Sequence, residues 1–183
     1  MEREKLIAIV GMPGAGKGLV SKVVSSRGIP VLNCGDVIRE ETVRRGLPPT
    51  PENMGNVMLS IRHEEGAAVV AERLIPKIES SASPVVVVEG VRSMAEVDAL
   101  SRKRVVTIVA VHASPKTRYQ RLIARARSDD PKSWEEFTDR DARELSVGIG
   151  NVIALAHDML VNEATVDDLN VASELAISRV TQE

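Results

Sequence analysis

The feature that most constrains this chain is a glycine-rich stretch, Gly11-Met-Pro-Gly-Ala-Gly-Lys17-Gly18, set directly after the apolar run Leu6-Ile-Ala-Ile-Val10. A short aliphatic run that ends in glycines reads as a buried strand turning into a helix. Gly11, Gly14 and Gly16 let the backbone turn tightly and approach an anion with no side chain between. The loop's N–H groups then face inward as an anion nest, and the following helix offers its positive end. Lys17 adds a full charge for the outer phosphates of a triphosphate. The residues Gly11, Met12, Pro13, Gly14, Ala15, Gly16, Lys17 and Gly18 are therefore the expected nucleotide-binding loop. The pattern GxxxxGK[ST] is complete up to its last position, where Gly18 replaces the Ser or Thr whose hydroxyl normally holds magnesium. Leu19 follows, and no hydroxyl occurs before Ser21, so magnesium is expected to be held mainly by the nucleotide and water. An incidental lysine in a glycine-rich turn is the plain alternative; the strand before and the helix after argue against it.

Beyond the loop, strand and helix signals alternate. Strands are expected at Leu6–Val10, Val31–Asn33, Pro84–Val88, Val105–Val111 and Asp158–Val161. The run Pro84-Val-Val-Val-Val88 has no polar alternation, the mark of a strand covered on both faces. Helices are expected at Lys17–Ser26, Asp36 to about Arg45, and Met94–Arg102. Thr50-Pro51 starts one long amphipathic helix running to about Ile78, with Pro76 bending or ending it. Ser114-Pro115 starts another that runs to about Ser128. The box Ser133-Trp-Glu-Glu136 opens a further helix, interrupted at Gly148 and Gly150 and resuming over Asn151–His157, and Thr165–Asp168 caps the last. Together these give one α/β domain: a three-layer P-loop NTPase fold with a five-stranded parallel sheet flanked by helices. Its core is expected at about 1–35, 80–115 and 150–183, with an acceptor-side helical insert at 36–79 and a lid at 116–147.

Composition narrows the partners. A net charge of −2 gives no global pull toward nucleic acid or an anionic membrane. Aromatics make up only 2%, too few for a binder that stacks bases. The lone Cys34 forms no intrachain disulfide and fits a reducing cytoplasm. No apolar run approaches the roughly 18 residues of a membrane helix, and no targeting segment is seen. His63, His112 and His157 show no metal-ligand spacing.

Three further constellations carry chemistry. In Asn33-Cys-Gly-Asp36-Val-Ile-Arg39, Asp36 and Arg39 share one helical face at the rim where α/β sheets bind ligands. Arg39 can clamp an acceptor's phosphate or carboxylate, and Asp36 can orient its hydroxyl. By residue type alone, a helix cap at Asp36 and a solvated charge at Arg39 are the favoured reading. In Val85-Val-Val-Val-Glu89-Gly90-Val-Arg92, Glu89 ends a buried strand and can bind magnesium through water, while Arg92 can reach an acceptor anion. Finally Lys116, Arg118, Arg121, Arg125 and Arg127 form a basic helix, followed by Asp129-Asp-Pro and by Asp139-Arg140-Asp-Ala-Arg143-Glu144. Two arginine-bearing helices joined by a polar turn suit a lid that neutralises a moving phosphoryl group and excludes water. A solvated basic face balanced by neighbouring acids is the alternative.

With these motifs in hand, the chain resembles nucleoside-monophosphate-kinase-type P-loop proteins. The loop and Cys34-Gly-Asp-Val-Ile-Arg39 resemble adenylate kinases, whose loops also end in Gly-Lys-Gly. The ending Asp158-Met-Leu-Val-Asn162 is similar to that of dephospho-coenzyme A kinases, with an Asn-containing loop near the adenine. Glu89-Gly-Val-Arg92 and the run from Phe137 to Glu144 resemble, over nearly the whole chain, an archaeal group of adenylate-kinase-related proteins without an assigned activity. Leu19 and Asn33-Cys34 depart from the adenylate kinase pattern, which has Thr and Ser-Thr there. The resemblance implies ATP and Mg2+ as cofactors, Asn162 at the nucleotide, and a nucleotide-like small-molecule acceptor. Lys17 would touch the transferred phosphate, with Arg121 and Arg125 at the lid hinge and Arg140 and Arg143 facing the phosphates. A kinase is the expected function; a nucleotide-dependent switch or slow ATPase acting on a protein or RNA, and a binding module with a decayed site, are the alternatives.

Overall fold

A computed structural model describes residues 4–127 and 130–182. All five strands run parallel: β1 (Lys5–Val10), β2 (Val31–Asn33), β3 (Val85–Glu89), β4 (Val105–His112) and β5 (Asp158–Val161), in the order β2-β3-β1-β4-β5. The helices are α1 (Lys17–Ser26), α2 (Cys34–Arg44), α3 (Pro51–Glu65), α4 (Val69–Glu72), α5 (Ile75–Glu79), α6 (Met94–Ser101), α7 (Pro115–Arg125), α8 (Trp134–Val147), α9 (Ile149–Ala154) and α10 (Val166–Gln182).

Strand period sorts the core into two halves. Leu6, Ala8 and Val10 of β1 face one side, where Ile38, Ile61, Leu74, Leu100 and Val152 bring in the helices from α2 to α6 and α9. Ile7 and Ile9 face the other, packing with Val20 and Val24 of α1 and Ile177 of α10. This is the expected three-layer α/β fold. Because every strand is parallel, the chain leaves β1, β2, β3 and β4 at one edge, and Gly11, Cys34, Gly90 and Ala113 stand together there.

Several boundaries differ from the expected ones. The long helix from Thr50 breaks at Gly66, which adopts φ +107°, so α3, α4 and α5 are separate and Pro76 sits in the first turn of the last. Gly150 does not interrupt a helix; Gly148 does, at φ +109°, and α9 begins at once. The basic helix ends at Arg125 because Ala126 turns left-handed; Ser128 and Asp129 lie outside the described residues. In α2, Asn33 is the N-cap, its side chain accepting from Gly35 N at 2.7 Å, so the helix starts two residues before Asp36. Among the described residues no helix is long and apolar enough to cross a membrane.

Candidate active site

The loop closes between β1 and α1 by close contact, and two glycines are fixed by it. At Gly11, with φ +148°, a Cβ would stand 2.3 Å from the backbone oxygen of Val111 on β4. At Gly16, with φ +108°, it would stand 2.2 Å from Asn162 Nδ2. Gly18 is different: in the first turn of α1, a Cβ there meets nothing within 4 Å. Gly11→Ala is therefore expected to cost more than about 3 kcal/mol, and Gly18→Ala to be neutral or stabilising by up to about 1 kcal/mol. Thermal unfolding of the two variants checks this.

Lys17 Nζ donates to the carbonyls of Gly11 at 2.7 Å and Met12 at 3.3 Å. Burial pushes its pKa down to about 8, while the Glu89 carboxylate pulls the other way. Asn162 is turned under the loop. Its amide donates to Ala15 O at 2.8 Å and its oxygen accepts from Arg121 Nη2 at 3.2 Å. It is nearly buried, so its hydrogen bonds go to the loop and to Arg121, where the resemblance implied a place at the adenine.

Two clefts lie near the loop, and Lys17 lines the first. That one is lined by Gly16, Lys17, Gly18, Lys22, Arg121 and Arg125, with Glu89 the only acid in its lining among the described residues. Arg121 Nη1 is buried there with no partner among the described residues, an unmet donor that suits an anion. Arg125 pairs with Asp130 at 2.5 Å, and Arg140 Nη1 lies 3.7 Å from the same carboxylate, so Asp130 joins α7 to α8. Arg118, on the same stripe as Arg121 and Arg125, is a strut. It is buried, donates to Pro13 O at 3.1 Å and forks onto Asp141 at 2.6 and 2.8 Å.

The second cleft lies between α2, α3 and α8. Ile38, Met54 and Met58 form an apolar side, and Arg92, Arg140, Arg143 and Glu144 form a charged one. Gly55 makes room for Arg143, since a Cβ there would stand 2.6 Å from Arg143 Nη1. Glu144 accepts from Arg92 Nε and, at 3.3 Å, from its Nη2. Burial pushes the Glu144 carboxyl up, but Arg92, with Arg140 and Lys17 adding, holds it below the ordinary carboxylate range. Arg92 itself is fixed through its backbone N–H, which donates to the buried Glu96 at 2.6 Å.

Arg92, Arg140 and Arg143 thus share one cleft, and Lys17, Arg121 and Arg125 share the other. Asp36 and Arg39 belong to neither lining. Val37 and Ile38 of α2 pack into the core, and both charged residues are exposed. Glu144, Gly55 and Asn162's support of the loop were not singled out by sequence reasoning. The spacing of Arg140 and Glu144, four apart on one helix, was the available signal.

Glu89 meets the oxygen preference of magnesium. Its carboxylate ends β3 beside Lys17 and Gly18, and Ser21 Oγ donates to its Oε2 at 2.6 Å. One protein carboxylate beside an anion cleft fits an ion whose other oxygens come from phosphates and water.

The sequence pattern of the AAA domain family matches residues 10–138. A UPF0200 protein of Hyperthermus butylicus is 48% identical over 176 residues, covering 96% of this chain and 95% of the relative. A UPF0200 protein of Pyrococcus furiosus is 48% identical over 180 residues, covering 96% and 97%. Among solved structures, TT1252 from Thermus thermophilus superposes with a TM-score of 0.63 at 21% identity, covering 97% and 98% of the two chains. Shikimate kinase from Acinetobacter baumannii in complex with shikimate gives 0.62 at 17% identity, covering 99% and 95%. Both likenesses concern the fold alone. By its sequence this chain belongs to the UPF0200 proteins, within the AAA domain family.

Proposed function

We propose that the protein is an ATP-dependent kinase that moves the γ-phosphoryl group to a small anionic acceptor, AMP- or dephospho-coenzyme A-like. The observation that carries this reading is a second arginine-lined cleft, walled by Arg92, Arg140 and Arg143, separate from the one that Lys17 lines. A switch or an ATPase needs only the loop; a second cationic cleft, apart from the loop's own, suits an acceptor. Its three arginines and one glutamate suit a phosphate dianion, and Met54 and Met58 suit an apolar body.

In this reading ATP lies on the loop with its phosphates at Lys17, Arg121 and Arg125. Magnesium, bound to the phosphates and through water to Glu89, would neutralise developing charge. The acceptor oxygen forms the new P–O bond as the β–γ bridge breaks, and ADP leaves with the electron pair. A phosphate acceptor has no proton to lose; a hydroxyl acceptor releases one. Arg92, Arg140 and Arg143 hold the acceptor and the moving phosphoryl group. The segment 116–147 acts as the lid and 36–79 as the acceptor side.

An acceptor panel tests the assignment: AMP, CMP, UMP, dephospho-coenzyme A, shikimate, gluconate and water, each with ATP and magnesium. Turnover with one acceptor and little with water is expected. Turnover with water alone would replace the kinase reading with the ATPase one. Trp134 reports on the lid. Half-exposed, it packs edge-on to Tyr119 of α7 at 5.1 Å and beside Phe137 at 5.1 Å. ATP with the right acceptor is expected to change its fluorescence more than ATP alone. An unchanged emission in a protein that turns the acceptor over would sink the lid.

A further inference from the structure

The hydroxyl missing at position 18 is not excluded by crowding. Gly18 is exposed, and a Cβ there meets nothing within 4 Å. The nearest hydroxyl on the same face of α1 is Ser21, three residues on. It is 8% exposed and turned toward Glu89. Its Oγ donates to Glu89 Oε2 at 2.6 Å, a short, charge-assisted bond. Glu89 is the last residue of β3, and Lys17 and Gly18 line the same cleft. Of the charges around Lys17, Glu89 acts on it most strongly.

We propose that Ser21 is a positioning residue for the magnesium of the bound nucleotide. It ties one oxygen of Glu89 to the start of α1 and leaves the other, Oε1, to accept from a metal-bound water. The link between phosphate loop and strand-end acid is thus made one turn along the helix from where a hydroxyl at position 18 would make it. A carboxylate left to rotate would hold that water less well, because the groups behind a metal's ligands set their orientation.

The inference rests on ATP binding at the loop, so the test measures nucleotide and metal separately. Mn2+ replaces Mg2+, and its free concentration is read by electron paramagnetic resonance with a non-hydrolysable ATP analogue present. Affinity for the analogue is also measured in EDTA. Ser21→Ala is expected to loosen Mn2+ about tenfold while leaving the EDTA affinity within about twofold of the parent. Ser21→Thr should keep parental Mn2+ affinity. Glu89→Gln should reproduce the loss with Ser21 intact. Adding Gly18→Ser to Ser21→Ala should restore binding by supplying a hydroxyl at the loop. Parental Mn2+ affinity in Ser21→Ala overturns the proposal. An equal loss in EDTA also overturns it, since it would mark Ser21 as mere packing for the loop. A parent protein that binds no analogue in either condition would instead remove the donor site, and this inference with it.

Discussion

Lys17→Met is expected to lower phosphoryl transfer roughly a thousandfold or more while leaving the free protein as stable as the parent, or slightly more so. The two effects share one cause. Lys17 lines a cationic cleft, and burial brings its pKa from 10.5 to about 8. Because the folded pKa is the lower one, the fold disfavours the ammonium. The resulting cost, at most about 3 kcal/mol, is present in full below pH 8. It fades as pH rises from about 8 toward 10.5, where the unfolded chain also loses its proton. Methionine keeps the stem and removes this cost. It also removes the two hydrogen bonds to Gly11 and Met12 carbonyls, each worth about 1 kcal/mol, so the expected net gain at pH 7 is about 1 kcal/mol. Denaturant titrations at pH 7 and pH 10 check the sign: the variant's advantage should shrink at the higher pH. A triphosphate favours the ammonium and raises its pKa. ATP binding near pH 8 should therefore take up about half a proton, and affinity should fall above that pH. Calorimetry in buffers of different ionisation enthalpy measures the uptake. A variant with parental turnover would remove Lys17 from the mechanism.

The sequence made the sheet and the loop legible because both are written locally. The apolar β-branched runs have one reading when buried on both faces, and β2 and β5 fall on the expected residues. Glycine positions fixed the loop because Gly11 and Gly16 leave no space for a side chain. What sequence could not give was long-range pairing of charge. Arg118, Arg121 and Arg125 form one basic stripe, yet Asp141 and Pro13 take the first as a strut, while the other two line the donor cleft. Asp36 and Arg39 share an exposed face of α2, outside the linings of both clefts. Val37 and Ile38, packed into the core, set which face of the helix points inward. Gly66 was passed over because the apolar spacing continues across it, although its left-handed backbone ends α3.

The Arg92–Glu144 pair joins the turn after β3 to α8, and a double-mutant cycle on it should separate structure from chemistry. Glu144→Ala leaves a largely buried guanidinium without its carboxylate, and a loss of about 3 kcal/mol is expected in denaturant unfolding at pH 7. Arg92→Met strands the carboxylate and should cost a similar amount. Replacing both, Arg92→Met with Glu144→Leu, removes both charges from the interior and should recover most of the stability. It should not recover function. The cleft would keep Arg140 and Arg143 but lose the arginine held by Glu96 from behind, and the acceptor KM should rise roughly a hundredfold. A stable double variant with a parental KM would show that the pair only fastens α8. The acid limb gives an independent check. Glu144 is held below the ordinary carboxylate range, so its contribution is complete above pH 4.5 and is lost as pH falls through its lowered folded value. Glu144→Gln should therefore flatten the parent's loss of stability in acid. An acceptor anion seated on Arg92 competes with Glu144 for the same fork of N–H donors. In Glu144→Gln, which keeps the shape without the charge, phosphate should bind more tightly than in the parent, although the protein itself is less stable.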